Sequence, residues 1–100
     1  MPYVYILRCA DDSYYVGSTR NLESRVDQHN SGYGAEYTKH RRPVELVFAE
    51  EFDSVADAFA LEKQIQGWSR AKREALIEGR FDDLKALSKK KFPKKTAEDI

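Results

Sequence analysis

At Asn21 the apolar periodicity of this chain changes, and that change constrains the fold more than any other feature. Ahead of it, Tyr3-Val4-Tyr5-Ile6-Leu7 is a short aromatic and β-branched run that reads as a buried strand. Asp11-Asp12-Ser13 is turn chemistry. Tyr14-Tyr15-Val16 reads as a second strand, so the chain is expected to begin with a β-hairpin. Beyond the switch, Leu22 and Val26 stand four apart at helical spacing, with Asn21 as N-cap and an end near Asn30-Ser31-Gly32.

The rest of the chain continues the alternation. Residues from Ser31 to Arg42 are rich in glycine and bases and read as a loop, and Pro43 suits the start of a strand, Val44-Glu45-Leu46-Val47-Phe48. Ser54 with Asp57 three residues later is a capping-box-like start for a helix running to about Gly67. Ser69 can cap a further helix through Glu78, stopped by Gly79. Phe81, Leu84 and Leu87 suggest one more short helix. The predicted fold is therefore α+β, a small, three-stranded, mostly antiparallel sheet flanked by helices in the order β-β-α-β-α-α. One domain over residues 1–88 is expected, followed by a basic, frayed tail over 89–100.

No apolar run approaches the roughly 18 residues of a membrane span. Met1-Pro2-Tyr3-Val4 lacks the basic region of a signal peptide, and Cys9 is the single cysteine, so a cytoplasmic protein without a disulfide or a Cys-based metal site is expected. The 17 basic and 17 acidic residues cancel, which argues against coating nucleic acid by bulk charge. Their distribution is uneven. Between Pro43 and Glu62 there are six acids and no Lys or Arg, whereas bases gather in Lys39-His40-Arg41-Arg42, in Arg70-Ala71-Lys72-Arg73, and between Lys85 and Lys95. Such a pattern suits docking a polyanion on one face, and equally suits ordinary solvated surface.

Four groups of side chains could carry chemistry. Val55, Ala58, Phe59, Leu61, Ile65 and Trp68 define the apolar side of their helix, and Glu62 falls inside that arc. A carboxylate there needs a partner, either a base or a metal. Arg25 and His29 share one helix face beside Leu22 and Val26, from which both can reach toward the sheet or simply snorkel at its rim. Arg suits a bidentate grip on phosphate, and His can carry a proton. The six tyrosines are dense at the N-terminal half, where core packing would account for strand aromatics. Tyr37 is available for stacking on a base, and Lys39 to Arg42 for holding backbone phosphates. No P-loop, paired cysteine or Gly-x-Ser-x-Gly is present, which leaves acyl-transfer and nucleoside-triphosphate chemistry without apparatus.

Taken together these positions resemble one family. Val4-Tyr5-Ile6, followed after eight residues by Tyr15-Val16-Gly17, resembles the paired tripeptides of the GIY-YIG nuclease superfamily. Arg25, His29 and Glu62 follow at matching places over about residues 3 to 80. Gly34-Ala35-Glu36-Tyr37-Thr38, Arg41-Arg42-Pro43 and Leu61-Glu62-Lys63-Gln64-Ile65 are similar to its small single-domain bacterial branch. The resemblance implies that Glu62 holds one Mg²⁺ or Mn²⁺ against a substrate phosphate. It implies that Tyr5, assisted by Tyr15, positions or deprotonates the attacking water. A phenol near pKa 10 needs a nearby cation for that, and Arg25 and the metal are the candidates. Arg25 would also offset transition-state charge, with His29 as neighbouring donor or proton carrier. Gly17 would leave room for close approach. If both tyrosines serve one site they must face the same way, so Leu7 or Cys9 must pair with Tyr15, through an odd-numbered loop or a bulge.

Two departures are mild: Val4 and Val16 stand where the name motif has Gly and Ile. A third is not. Some members use an Asn downstream of the Glu, and here the only asparagines are Asn21 and Asn30. The expected function is a metal-dependent endonuclease acting on structured or single-stranded nucleic acid, DNA in preference to RNA, in a setting such as DNA repair or recombination. Recognition through shape is expected, with Tyr37, Lys39, His40, Arg41, Arg42, Arg70, Lys72 and Arg73 as contacts. The alternative is a nucleic-acid-binding module of the same fold with little or no turnover. A third reading is a protein-interaction domain presenting Trp68 and the lysine-rich tail.

Overall fold

A computed structural model describes residues 1–83. The chain divides into two compact units, residues 1–67 and 68–100. The expected helix containing Leu84 and Leu87, the boundary at residue 88 and the basic tail lie outside the described residues.

In the first unit, β1 (Tyr3–Arg8), β2 (Tyr14–Thr19) and β3 (Glu45–Glu51) form an antiparallel sheet in the order β2-β1-β3. The helices are α1 (Leu22–Ser31), α2 (Glu36–Lys39) and α3 (Val55–Gln66). The architecture is the α+β one expected: once the single turn of α2 is set aside the order here is β-β-α-β-α, and the final helix of the expected β-β-α-β-α-α order belongs to the second unit. That turn falls within what the sequence presents as loop, because four residues are too few to show a helical period. β2 runs on through Gly17-Ser18-Thr19, and β3 through Ala49-Glu50-Glu51, beyond their apolar cores. Glu45, Glu50 and Glu51 are exposed on β3, and charges along an edge strand discourage pairing with another chain.

Leu7 pairs with Tyr15 and Arg8 with Tyr14, leaving residues 9–13 as an odd-numbered loop. That register meets the requirement for both tyrosines on one face. Asp11 builds the turn by accepting the Ser13 amide (3.1 Å) and hydroxyl (2.6 Å), and Asp12 takes φ 69°. A bulge in β3 places Ile6 opposite Phe48 but Leu7 opposite Leu46. Each sheet face has its own core. Tyr5, Leu7, Cys9 and Val44 form one, covered by Tyr15 and by Leu22 and Val26 of α1. On the other face Val4, Ile6 and Val16 are buried, as are Ala58 and Ile65 of α3, which packs on β1 and β2.

The expected caps are in place. Asn21 accepts the Ser24 amide at 3.2 Å and Ser54 the Asp57 amide at 3.0 Å. At the far end of α1, Gly32 adopts φ 89° and its amide, with that of Tyr33, closes on Gln28 and His29 carbonyls. One expectation is corrected on α3: Val55 and Phe59 are exposed, so its buried line is narrower than its apolar residues suggest.

In the second unit α4 (Arg70–Ile77) is capped by Ser69, whose hydroxyl accepts the Lys72 amide at 3.2 Å. Gly79, at φ 74°, follows its C-cap. Among the described residues no helix is long and apolar enough to cross a membrane.

The two sides of α3 differ enough to measure. Ile65→Ala, at a position with 0% exposure, is expected to destabilise the protein by about 2–5 kcal/mol in urea titrations. Phe59→Ala, at 53% exposure, should stay within about 0.5 kcal/mol of the parent.

Candidate functional site

The face shared by Tyr5 and Tyr15 carries a buried polar cluster. Tyr5 faces Gly17 across the strand pair. A Cβ on Gly17 would come within 2.6 Å of Tyr5 Oη and 3.1 Å of the Tyr15 ring, so the absent side chain is what lets the phenol lie against β2. The Tyr5 and Tyr15 ring centroids are 6.4 Å apart, and each ring meets His29, at 5.9 and 5.1 Å.

His29 was expected near the rim of the core; it is buried completely. It is held at both nitrogens. Tyr5 Oη lies 2.9 Å from Nε2, and Thr38 Oγ1 lies 2.7 Å from Nδ1. The Thr38 hydroxyl in turn donates to the Ala35 carbonyl at 3.0 Å. Burial pushes the His29 pKa down to about 4, and the positive charge of Arg25 pushes in the same direction. The ring is therefore neutral at pH 7. Burial likewise pushes the Tyr5 phenol up to about 12, against a smaller downward pull from the Arg25 guanidinium hydrogen-bonded to it. Arg25 thus lowers the phenol as expected, but burial outweighs it and leaves Tyr5 a weaker acid than free tyrosine. Arg25 also donates to Gln28 at 2.9 Å.

Glu62 sits across the edge of β2, half-buried on α3. Its Oε1 accepts from the Ser18 hydroxyl at 2.7 Å and its Oε2 from the Gln66 amide at 2.9 Å. Gln66 also reaches the Val16 carbonyl at 3.3 Å, tying α3 to β2. Both partners of the carboxylate are neutral, so its negative charge is stabilised without being cancelled. That charge is felt by Tyr5, whose phenol it raises further. Neighbouring residues of β2 therefore connect the two halves: Gly17 lies against Tyr5, and Ser18 binds Glu62.

A single anionic carboxylate with neutral partners suits Mg²⁺, which uses one or two carboxylates and otherwise keeps water and substrate phosphate. Among the described residues no three His, Cys, Asp or Glu side chains converge as a cage. An ion here would have Glu62 as its protein anchor.

The loop beside the tyrosines is engaged with the chain itself. Tyr37 stacks near Tyr15, with centroids 6.0 Å apart, and Arg41 lies over the Tyr37 ring at 4.0 Å. Arg41 also pairs with Asp11 at 3.0 Å and donates to the Tyr37 carbonyl at 2.7 Å. Arg42 donates to the carbonyls of Lys39 and Asn30. Of the four expected phosphate contacts in this loop, Lys39 and His40 are the ones whose side chains stand exposed without such tethers, His40 lying 3.9 Å from Glu36. In the second unit Arg70 pairs with Glu74 at 2.8 Å. Lys72 corrects an expectation: it is 3% exposed, its ammonium 4.3 Å over the Trp68 ring, and so is withdrawn from any surface that meets phosphate.

Ser18, Thr38 and Gln66 escaped the reading of the sequence. Gln66 was the most accessible of them, one helical turn from Glu62 on the same face. Ser18 and Thr38 become visible only once the register and the loop are known.

Comparison with known proteins places the chain. A family model described as the GIY-YIG catalytic domain matches residues 1–75. A UPF0213 protein of Natronomonas pharaonis is 52% identical over 75 residues, covering 75% of this chain and 88% of that protein. The UPF0213 protein YazA of Bacillus subtilis is 42% identical over 85 residues, covering 85% of this chain and 86% of that one. The solution NMR structure of the UPF0213 protein BH0048 of Bacillus halodurans superposes with a TM-score of 0.52 at 42% identity, over 78% of this chain and 84% of that one.

The burial of His29 sets a pH dependence. An unfolded imidazole takes its proton near pH 6.5 and the folded one near 4, so between those values the unfolded state binds more protons. Stability should fall as pH is lowered through that window, by at most about 3 kcal/mol at its foot, with no contribution above it. Urea titrations at pH 7, 5.5 and 4 should show this slope flattened in His29→Gln; an unchanged slope would assign it to other groups.

Proposed function

Since the chain belongs to the GIY-YIG catalytic-domain family, we propose that it is a metal-dependent endonuclease hydrolysing phosphodiester bonds in structured or single-stranded nucleic acid. DNA is the favoured substrate over RNA, and DNA repair or recombination the setting. The observation that carries this reading is the coupling of a water-handling pair, Tyr5 and His29, to an uncancelled carboxylate, Glu62, through adjacent residues of one edge strand.

In this mechanism Tyr5 orients the attacking water. The phenol oxygen takes a proton from the water as the phenol's own proton passes to His29 Nε2, 2.9 Å away. No free phenolate has to persist in a site that pushes the phenol up to about 12. The water oxygen bonds to phosphorus while the bond to the leaving sugar oxygen breaks, that oxygen keeping the electron pair and taking a proton from solvent. Arg25, alongside the Tyr5 phenol, offsets charge on the phosphoryl oxygens. Tyr15 packs against His29 and completes the wall of the site. A Mg²⁺ or Mn²⁺ ion held by Glu62 would stabilise the charge that develops on the leaving oxygen.

A binding module with little turnover is favoured by one feature. Asn21 is occupied in capping α1, and Asn30 bonds both polar groups of the Val44 backbone, at 2.7 and 3.1 Å, so neither serves as the polar group some members place downstream of the Glu. Gln66 is the amide that adjoins Glu62 here.

Labelled single-stranded, nicked and branched DNA and RNA, incubated with Mg²⁺ or Mn²⁺, separate the two. Metal-dependent cleavage that falls by about 10²-fold or more in both Tyr5→Phe and Glu62→Ala supports the endonuclease. Absence of cleavage with retained gel shifts of branched substrates would transfer support to the binding module. Equal cleavage by parent and variants would sink the assignment of this site.

A further inference from the structure

We infer that Thr38 is a positioning residue that sets the direction of proton movement at this site, by holding His29 in the tautomer protonated at Nδ1. The inference rests on the reading of Tyr5 and His29 as the pair that handles the water's proton.

The Thr38 hydroxyl has a single hydrogen, and the Ala35 carbonyl oxygen, 3.0 Å away, can only accept. That contact therefore takes the hydroxyl proton. His29 Nδ1, 2.7 Å from the same hydroxyl oxygen, must then donate to it. A neutral imidazole carries one N–H, so Nε2 is bare, and the Tyr5 hydroxyl at 2.9 Å donates to it. The wire runs from Tyr5 to His29 to Thr38 to Ala35, every donor with an acceptor. The opposite tautomer would make Tyr5 Oη the acceptor, turn its proton away from His29, and leave one Thr38 proton to serve two acceptors.

The surroundings enforce the choice. Thr38 and His29 are both fully buried, out of reach of bulk water that might substitute for either contact. The segment is also packed hard onto the ring. A Cβ on Gly34 would come within 2.8 Å of His29 Cα and Cγ, so this glycine lets the turn of α2 close over the imidazole. Packing alone would be met by valine, nearly the same shape as threonine. What valine lacks is the hydroxyl. The depressed pKa of His29 agrees with a neutral ring that has one bare nitrogen.

Long-range ¹H–¹⁵N spectra of the full chain at neutral pH report the protonation of each imidazole nitrogen directly, without substrate or metal. The parent should show Nδ1–H and bare Nε2 at His29. Thr38→Val should lose this preference, and Thr38→Ser should restore it. In cleavage assays Thr38→Val should lower kcat about 10- to 100-fold with little change in KM, less than the loss of a direct acid or base, and Thr38→Ser should recover most of it. Nε2–H in the parent, an unaltered tautomer in Thr38→Val, or parental turnover by a Thr38→Val with altered tautomer each overturns the inference. Should Thr38→Val fail to fold, the spectra of the parent and Thr38→Ser still decide, Nε2–H in either overturning it. If the tautomers behave as expected and no chain cuts nucleic acid, the positioning by Thr38 stands and the nuclease reading is what fails.

Discussion

A tyrosine ring laid flat across an antiparallel strand pair needs a gap in the facing strand, and Gly17 supplies it opposite Tyr5. The site hangs on that pairing. Side chains alternate along a strand, so a slip of one residue would send Tyr15 to the face of α3 and away from His29. The odd-numbered loop of residues 9–13, built by Asp11 and anchored by its pairing with Arg41, holds the register in place. The hairpin loop is further tied to the strand entry by the Ala10 amide on the Arg41 carbonyl at 2.9 Å. Arginines that a sequence presents as a basic patch are, in this loop, braces.

Electrostatics then divides the work between the two sheet faces. On the α1 face, burial and Arg25 together hold His29 neutral, so a basic nitrogen lies within hydrogen-bond reach of a phenol. On the α3 face, the hydrogen-bond partners of Glu62 are a hydroxyl and an amide, not a cation. An arginine there would have cancelled the charge a divalent ion requires. The edge strand β2 is thin enough for the carboxylate to influence the phenol through it. A phosphate bound along that edge would meet the Tyr5–His29 pair and the Glu62 carboxylate from opposite sides of one strand.

Membership of the GIY-YIG family accounts for the fold and for why these residues share a chain. The UPF0213 relatives are of similar extent, this chain spanning 88% and 86% of the two described. Within that frame, the turn of α2 is the part that gives the site its particular character, since it brings Ala35 and Thr38 to His29.

Much was legible from sequence. The change from strand to helical spacing at Asn21, the three caps at Asn21, Ser54 and Ser69, and the stop at Gly32 are local properties, set by neighbours a few residues away. They were readable for that reason. The paired tripeptides and the spacing to Arg25, His29 and Glu62 were enough to indicate the family, and the parity of the hairpin followed from the demand that two tyrosines share a face. Other features depend on contacts between distant segments, and no local pattern encodes them. The complete burial of His29 comes from Gly34 and Thr38 closing over it. The withdrawal of Lys72 from the surface, the exposure of Val55 and Phe59, and the neutral partners of Glu62 are likewise decided by which element packs where. Local chemistry determined the elements and nominated the site; packing across the chain decided each group's solvent, partner and charge, and hence what it can do.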